Sequence, residues 1–281
     1  MNNTRTLIKL ALEEDGVFND ITTKSLIPKD KKAKAVLIAN RHGILCGVDI
    51  FAEVFKTIDK KCVVYPKKKD CSEIKRGDRI LEIEGQAYAI LAGERTALNF
   101  LQHMSGIATL TNKFVNASKN GKTKIYDTRK TLPGYRELAK YAVVCGGGIN
   151  HRMGLYDMIL IKDNHLSLTK YLPEKTKQLR KIYKKTLIEV ECENISQVKH
   201  ALEAEADIIM LDNTGLAKTK KMIGIIRKNS SKDYNPEIEI SGGINLKTIK
   251  KFARLGAERI SIGTITHSAP ALDITLEITI S

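Results

Sequence analysis

The sequence is poor in features that mark several protein classes. It has no tryptophan, and aromatic residues make up 5%. Proteins that bind single strands of nucleic acid stack bases on aromatic rings, so this scarcity counts against that class. No apolar run approaches the roughly 18 residues that a membrane helix needs. The N-terminal MNNTRT is not followed by the apolar segment of a secretory signal. We therefore predict no membrane partner and no secretion.

The five cysteines also lack a recognisable pattern. They are odd in number, scattered and never in C-x-x-C spacing: Cys46, Cys62, Cys71, Cys145 and Cys192. A disulfide framework or a zinc ribbon would need regular, paired spacings. The cysteines therefore predict neither, and they favour a protein of the reducing cytoplasm.

Positive charge is in excess, with 47 Lys and Arg against 32 Asp and Glu and a formal net charge of +15. A nucleic-acid-binding protein concentrates such charge in one stripe, whereas these lysines are dispersed along the chain. We predict a solvated, lysine-rich surface and no nucleic-acid partner. A basic pocket for a small polyanionic substrate is a second contribution that composition does not separate from the first.

Hydrophobic periodicity predicts a mixed α/β protein of 281 residues. Before residue 120 it predicts helices over 5–14, 48–58, 94–102 and 107–118, the last two broken near Ser105-Gly106, and strands over 34–39 and 79–84. After residue 123, strands over 124–126, 158–161, 187–191, 208–211, 238–240 and 259–262 alternate with helices over 135–144, 171–183, 196–205, 218–228 and 246–255. This alternation is typical of a parallel α/β barrel. The alternative, a doubly wound sheet that binds a dinucleotide, would have a G-x-G-x-x-G turn after its first strand, and the sequence has none there. A last strand over 272–280 could join either part.

Polar residues follow every predicted barrel strand, where the active sites of parallel barrels lie. Basic residues that this fold would gather on one face are Arg129, Lys130, His151, Arg152 and Lys162. Several cations in one small site repel each other unless an anion of high charge binds there. The cluster therefore predicts a ligand that is a polycarboxylate, a polyphosphate, or both.

The loops after the predicted barrel strands contain two further groups of candidate binding residues, carboxylates and glycines. Glu191 and Asp212 could hold Mg²⁺, directly or through water, or could pair with lysines. Ser241-Gly242-Gly243 and Gly263 could cradle a phosphate through backbone N–H groups, or could simply be tight turns. His267 could join the phosphate face or cap a helix. Cys145-Gly146-Gly147-Gly148 could mark a nucleophile, but a glycine stop at the end of a helix is favoured.

Several motifs together resemble one family, the quinolinate phosphoribosyltransferases, or carboxylating nicotinate-nucleotide pyrophosphorylases. The resemblance runs from the first helix nearly to the C-terminus. The motifs that carry it are GERTALN (93–99), SGIAT (105–109), DTRKT (127–131), GGGINHRMGL (146–155), IKDNH (161–165), EVE (189–191), LDN (211–213), SGGI (241–244), SIG (261–263) and THSAP (266–270).

The resemblance implies an N-terminal α/β sandwich over 1–105, rejoined by a C-terminal strand in 268–281, and an incomplete α/β barrel over 106–267. It implies a homodimer in which each site receives Arg95 from the other copy, and it leaves open whether dimers form a hexamer. The implied reaction joins quinolinate and phosphoribosyl pyrophosphate to give nicotinate mononucleotide, pyrophosphate and CO₂ with Mg²⁺, on the route to NAD.

The resemblance also implies roles for individual residues. The quinolinate-binding set is Arg95, Arg129, His151, Arg152 and Lys162. The ribose, pyrophosphate and Mg²⁺ side, which includes the catalytic residues, is Lys130, Glu191 and Asp212. The 5′-phosphate cradle is Ser241, Gly242, Gly243 and Gly263. A phosphoribosyltransferase of the same fold with another acid as substrate is the alternative, and the blocks 150–152 and 162–165 favour quinolinate.

Overall fold

The computed structural model describes residues 2–119, 122–168 and 172–279, and their contacts divide the chain into two units. The first unit comprises Met1–Asn112, Thr131–Gly147 and Thr264–Ser281. The second comprises Lys113–Lys130 and Gly148–Gly263. The boundaries implied by the resemblance stay a prediction.

Helices and strands are numbered separately along the chain. The helices are α1 (Asn2–Glu14), α2 (Ile21–Leu26), α3 (Val48–Ile58), α4 (Ala87–Ser118), α5 (Arg136–Cys145), α6 (Asp163–Leu168), α7 (Leu172–Ile182), α8 (Ile195–Glu203), α9 (Leu216–Lys228), α10 (Ile249–Ala253) and α11 (Thr264–His267). The strands are β1 (Lys32–Ala39), β2 (Gly43–Ile44), β3 (Val63–Pro66), β4 (Glu73–Ile74), β5 (Arg79–Gln86), β6 (Lys124–Tyr126), β7 (Ile159–Ile161), β8 (Ile188–Cys192), β9 (Ile208–Asp212), β10 (Glu237–Ser241), β11 (Arg259–Ser261) and β12 (Ile274–Thr279). No helix within these described residues is long and apolar enough to cross a membrane.

The first unit is built on a four-stranded antiparallel sheet in the order β12-β1-β5-β3. Leu37 of β1 lies opposite Leu276 of β12 and Leu81 of β5, and all three side chains are buried. The amphipathic helix α3 adds Phe51 and Phe55 to this unit's core. The last strand, whose place the periodicity left open, is thus an edge of this sheet.

Helix α4 runs unbroken through Ser105-Gly106, so the predicted break there is wrong. The Ser105 hydroxyl donates to the Cys46 carbonyl and accepts the Cys46 N–H, which holds α4 against the chain before α3. A Cβ on Gly106 would lie 2.1 Å from the Pro270 carbonyl oxygen. The glycine therefore permits close packing in the first unit and does not end the helix.

The second unit contains a parallel six-stranded sheet in the order β6-β11-β10-β9-β8-β7. Each of the six predicted strands is present with its ends within one residue of the prediction. Helices follow the strands, as expected for an incomplete α/β barrel, so the predicted fold class is confirmed. Because side chains alternate along a strand, every second residue lies on the same face of the sheet.

Short elements differ most from the predictions. The helix predicted over 246–255 is reduced to α10, Ile249–Ala253. The strands β2, β3 and β4 and the helices α2, α6 and α11 were not predicted, because so few residues carry little periodic signal. Residues 171 and 280, the ends of two predicted elements, lie outside the described residues.

A disulfide joins Cys71 to Cys145, although the cysteine spacings predicted no disulfide framework. The two residues are 74 positions apart, yet the fold of the first unit brings their Cα atoms to 4.3 Å. Sequence spacing gives no sign of such proximity. The glycine stop, in contrast, is confirmed: α5 ends at Cys145, and Gly147 has a φ of 85°, in the left-handed region.

We expect Cys71→Ser to lower the free energy of unfolding by about 2–4 kcal/mol, because a cross-link over a long loop restricts the unfolded chain. Thermal denaturation with and without a reducing agent measures the effect. Reduction should lower the melting temperature of the wild type and leave that of the variant unchanged. Free thiols at Cys71 and Cys145 in peptide mapping of the unreduced protein would contradict the assignment.

Candidate active site

A cavity of about 210 Å³ lies in the second unit, at the carboxyl ends of its strands. Eight residues predicted from the sequence line it together: Arg129, Lys130, His151, Arg152, Lys162, Glu191, Asp212 and Ser241. The lining also contains residues that were not predicted, namely Thr128, Leu160, Met210, Glu239 and Ser261.

Strand alternation explains why these residues meet. Met210 and Asp212 lie two positions apart on β9, and Glu239 and Ser241 lie two apart on β10. Each pair lines the cavity, as residues on one face of a strand do. The parallel register places Ser241 beside Asp212 at the strand ends. The carboxyl ends of the strands therefore supply the site's acceptors and hydroxyl groups.

Lys162 and Glu191 form an ion pair across this site. The Lys162 Nζ lies 2.5 Å from the Glu191 Oε2. The Glu191 side chain is only 7% exposed, whereas that of Lys162 is 43% exposed. Glu191 therefore pairs with a lysine, which was one of the two alternatives predicted for it. Its nearly buried charge needs such a partner. Lys162 keeps one side toward solvent, where a ligand can approach.

The loop from His151 to Met158 is anchored by backbone contacts. The buried Asp127 carboxylate accepts the His151 backbone N–H at 2.8 Å. The Arg152 Nη1 donates to the Met158 carbonyl at 3.2 Å. Burial, and next the charge of Arg129, lower the pKa of Arg152. The two guanidinium groups therefore repel each other, and an anion bound between them would be stabilised.

A buried cluster of one histidine and two glutamates lies at this cavity. The His151 Nε2 is 3.2 Å from the Glu189 Oε2 and 3.5 Å from the Glu239 Oε1. Its Nδ1 accepts the Arg152 backbone N–H at 2.9 Å. Both glutamate side chains are fully buried, and burial raises the pKa of each carboxyl group.

Sequence reasoning missed Glu239 and used Glu189 only as part of a motif. A signal was available for Glu239, because it stands between two isoleucines in a predicted buried strand. Ionisable residues are almost never fully buried unless they are paired or functional. An ionisable residue within an apolar strand is therefore a candidate functional residue.

The glycine turn after β10 adopts left-handed backbone geometry at two successive residues. Gly242 has a φ of 86° and Gly243 a φ of 65°. A Cβ on Gly242 would lie 2.2 Å from the Asn213 Oδ1 and 2.7 Å from the Asn213 backbone nitrogen, whereas Gly243 has open space around it. These glycines therefore form the tight turn that was one of the two predicted alternatives. The open side of Gly243 leaves room for a phosphate, and that role stays a prediction.

The donor set at the cavity suits a hard divalent cation. Asp212 is half-buried, and its Oδ2 accepts the Asn213 Nδ2 at 2.8 Å. Asp212 and Glu191 both present carboxylate oxygens, which Mg²⁺ prefers over nitrogen or sulfur. These residues therefore fit the predicted ion, although the ion itself stays a prediction.

Two predicted residues belong to the first unit. Arg95 is exposed on α4. His267 is exposed at the end of α11, and its Nδ1 lies 2.6 Å from the Ser268 Oγ. The cavity is a feature of the second unit, so the roles of Arg95 and His267 stay predictions. Gly263 follows β11 as expected.

Two family models match almost the whole chain. The C-terminal domain model of quinolinate phosphoribosyl transferase matches residues 107–277, and the N-terminal domain model matches residues 20–105. The chain belongs to the quinolinate phosphoribosyltransferase family. The resemblance derived from the motifs is thereby confirmed.

Individual relatives support this membership along the full length. The chain is 42% identical to a probable nicotinate-nucleotide pyrophosphorylase (carboxylating) of Methanocaldococcus jannaschii, over 97% of this chain and 96% of the relative. It is 39% identical to the protein of the same name from Bacillus subtilis, over 95% and 91%. The nicotinate-nucleotide pyrophosphorylase structure from Francisella tularensis superposes with a TM-score of 0.90 at 37% identity, over 99% and 96%.

Proposed function

We propose that this quinolinate phosphoribosyltransferase family member transfers the phosphoribosyl group of phosphoribosyl pyrophosphate to quinolinate. Decarboxylation follows, giving nicotinate mononucleotide, pyrophosphate and CO₂ in the de novo synthesis of NAD. The observation that carries the proposal is one cavity where Arg129, Arg152 and Lys162 meet Glu191 and Asp212. The names of the full-length relatives support the same reaction.

Quinolinate carries two carboxylates on adjacent ring carbons, and the cations of the cavity match them. Burial lowers the pKa of Arg152, and the nearby charge of Arg129 lowers it further, so the two guanidinium groups repel each other. A dianion between them would relieve that repulsion through charge-assisted hydrogen bonds. Lys162, already held by Glu191, adds a third positive charge at a fixed place. The pyridine ring would thereby be oriented for reaction.

The transfer step joins the ring nitrogen to the anomeric carbon of the ribose while the bond to pyrophosphate breaks. Positive charge develops on the sugar, and the carboxylates of Glu191 and Asp212 stabilise it electrostatically. Lys130 approaches the pyrophosphate side, and Ser241, Gly242, Gly243 and Gly263 receive the 5′-phosphate. No strong base is required, because orientation and preorganised charge supply the rate enhancement.

Glu191 and Asp212 would hold Mg²⁺, directly or through water. The ion, when bound, supplies positive charge to the oxygens of the leaving pyrophosphate. This assignment is supported by the oxygen donors at the cavity and by the half-exposed side of Asp212. Glu191 would keep its contact with Lys162, which holds the carboxylate in place.

The working form would be a homodimer in which Arg95 of a second copy completes each quinolinate site. The exposure of Arg95 within the family motif at 93–99 supports this assignment. The cytoplasmic location stays a prediction, and the Cys71–Cys145 disulfide weakens its original support from the scattered cysteines.

Incubation with phosphoribosyl pyrophosphate, Mg²⁺ and either quinolinate or nicotinate tests the activity. We expect nicotinate mononucleotide and CO₂ from quinolinate, because two carboxylates are needed to satisfy the cations of the cavity. Mass spectrometry of the product and trapping of labelled CO₂ measure both. Turnover of nicotinate alone would reject the proposal in favour of a related phosphoribosyltransferase.

We expect Arg152→Ala to weaken quinolinate binding by about 2–5 kcal/mol, because a partly buried charge pair is lost. Binding of phosphoribosyl pyrophosphate should change far less. Calorimetric titration of each ligand separates the two effects. Arg254→Ala removes an exposed arginine at the end of α10 and serves as the matched control. Equal weakening of both ligands by Arg152→Ala would contradict the assignment.

We expect Arg95→Ala and Lys162→Ala to be inactive separately and to recover activity when mixed. A hybrid dimer has one site with both residues intact, so random reassembly should restore about a quarter of the wild-type rate. Activity after joint refolding measures this recovery. Lys162→Ala mixed with Arg152→Ala is the control, because both residues belong to the same site. Verified hybrids without recovery would place Arg95 in the site of its own chain.

A further inference from the structure

The proposed reaction needs a proton that none of the assigned residues supplies. Loss of CO₂ from the ring leaves an electron pair on the carbon beside the quaternary nitrogen. That carbon must gain a proton to give nicotinate mononucleotide. The cations at the cavity bind carboxylates and are poor acids, because arginine and lysine hold their protons strongly. A neutral acid at the cavity wall would therefore complete the reaction.

Glu239 is one of the residues that line this cavity, and its side chain is fully buried. Neither its two oxygens nor those of Glu189 have a partner with both the distance and the angle of a hydrogen bond within the described part of the chain. The His151 Nε2 and the Ser261 hydroxyl lie close to Glu239 without meeting both criteria. An ionised carboxylate without hydrogen bonds is very costly inside a protein, so this buried environment favours the neutral acid form of Glu239.

The charges around Glu239 act in both directions. Burial has the largest influence and raises its pKa, and the neighbouring Glu189 carboxyl group raises it further. His151 and Arg259 act in the opposite direction. Burial and the neighbouring carboxyl group therefore both favour the protonated form of Glu239.

His151 is not free to act as this acid. Its Nδ1 accepts the Arg152 backbone N–H, so that nitrogen carries no proton. Its Nε2 therefore carries the ring hydrogen of the neutral form, and this atom points to the two glutamates. The ring can stabilise a carboxylate that forms on Glu239, but it has no proton directed at a ligand.

We propose that Glu239 is the acid that protonates the ring carbon after decarboxylation. The bond from this carbon to the leaving carboxylate breaks, CO₂ departs, and the electron pair stays on the carbon. The carbon takes the proton of the Glu239 carboxyl group, which becomes a carboxylate facing His151 and Arg259. Water returns the proton once the product leaves. This assignment rests on the proposed function and adds a catalytic residue to it.

The variant Glu239→Gln in the full chain tests this role, because it keeps the side chain's size and removes the acidic proton. Single-turnover quenching follows pyrophosphate release and nicotinate mononucleotide formation separately. We expect pyrophosphate release near the wild-type rate and mononucleotide formation slowed about 100-fold or more, as loss of a general acid requires. In the wild type, mononucleotide formation should decrease as pH rises through the raised pKa of Glu239, whereas Glu239→Gln should lack that decrease.

Two further variants complete the experiment. Glu203→Gln makes the same change on an exposed face of α8 and should match the wild type in both steps. Glu239→Asp keeps the acid with a shorter reach, so it should slow only mononucleotide formation and retain the pH dependence, even if the Gln variant fails to fold. Equal slowing of both steps, or an unchanged mononucleotide step, would overturn the role of Glu239. Absence of pyrophosphate release in the wild type would instead overturn the proposed function.

Discussion

Repulsion between like charges at one cavity is the constraint on which the second unit's site depends. Arg129 and Arg152 lie close enough for one charge to lower the pKa of the other, and Lys162 lies at the same cavity. Arg152 donates to the Met158 carbonyl, and Lys162 forms an ion pair with Glu191. A ligand that brings two or more negative charges would lower this repulsion, and this is the physical basis of the ligand class proposed for the cavity.

Much of this arrangement was accessible from the amino-acid sequence. Strand–helix alternation after residue 123 predicted six strands whose ends are displaced by at most one residue. Parallel strands place their carboxyl ends together, so polar residues after different strands had to meet. Lys162 and Glu191 were accordingly assigned to one site, although they are 29 positions apart. These predictions succeeded because they depend on periodicity and topology, which the sequence carries locally.

Other features depend on close approaches between distant segments, and the sequence does not encode these locally. Ser105-Gly106 was interpreted as a helix break, but Gly106 gives room to the Pro270 carbonyl, which lies 164 positions away along the chain. Cys71 and Cys145 show no spacing that would predict their bond. Glu239 looked like an ordinary strand residue, and only burial beside His151 and Glu189 reveals its unusual environment. In each case, the role of the residue becomes clear only from its distance to a residue that is far away in the sequence.

The pairing of β12 with β1 has a consequence for how the polypeptide is made. Every residue of the second unit leaves the ribosome before β12 is synthesised, whereas β1 must wait for β12 with one edge unpaired. An open strand edge is a template for association with other chains. Until Ile274–Thr279 has been synthesised, this edge of β1 stays open to pairing with other chains, so the nascent chain can aggregate there.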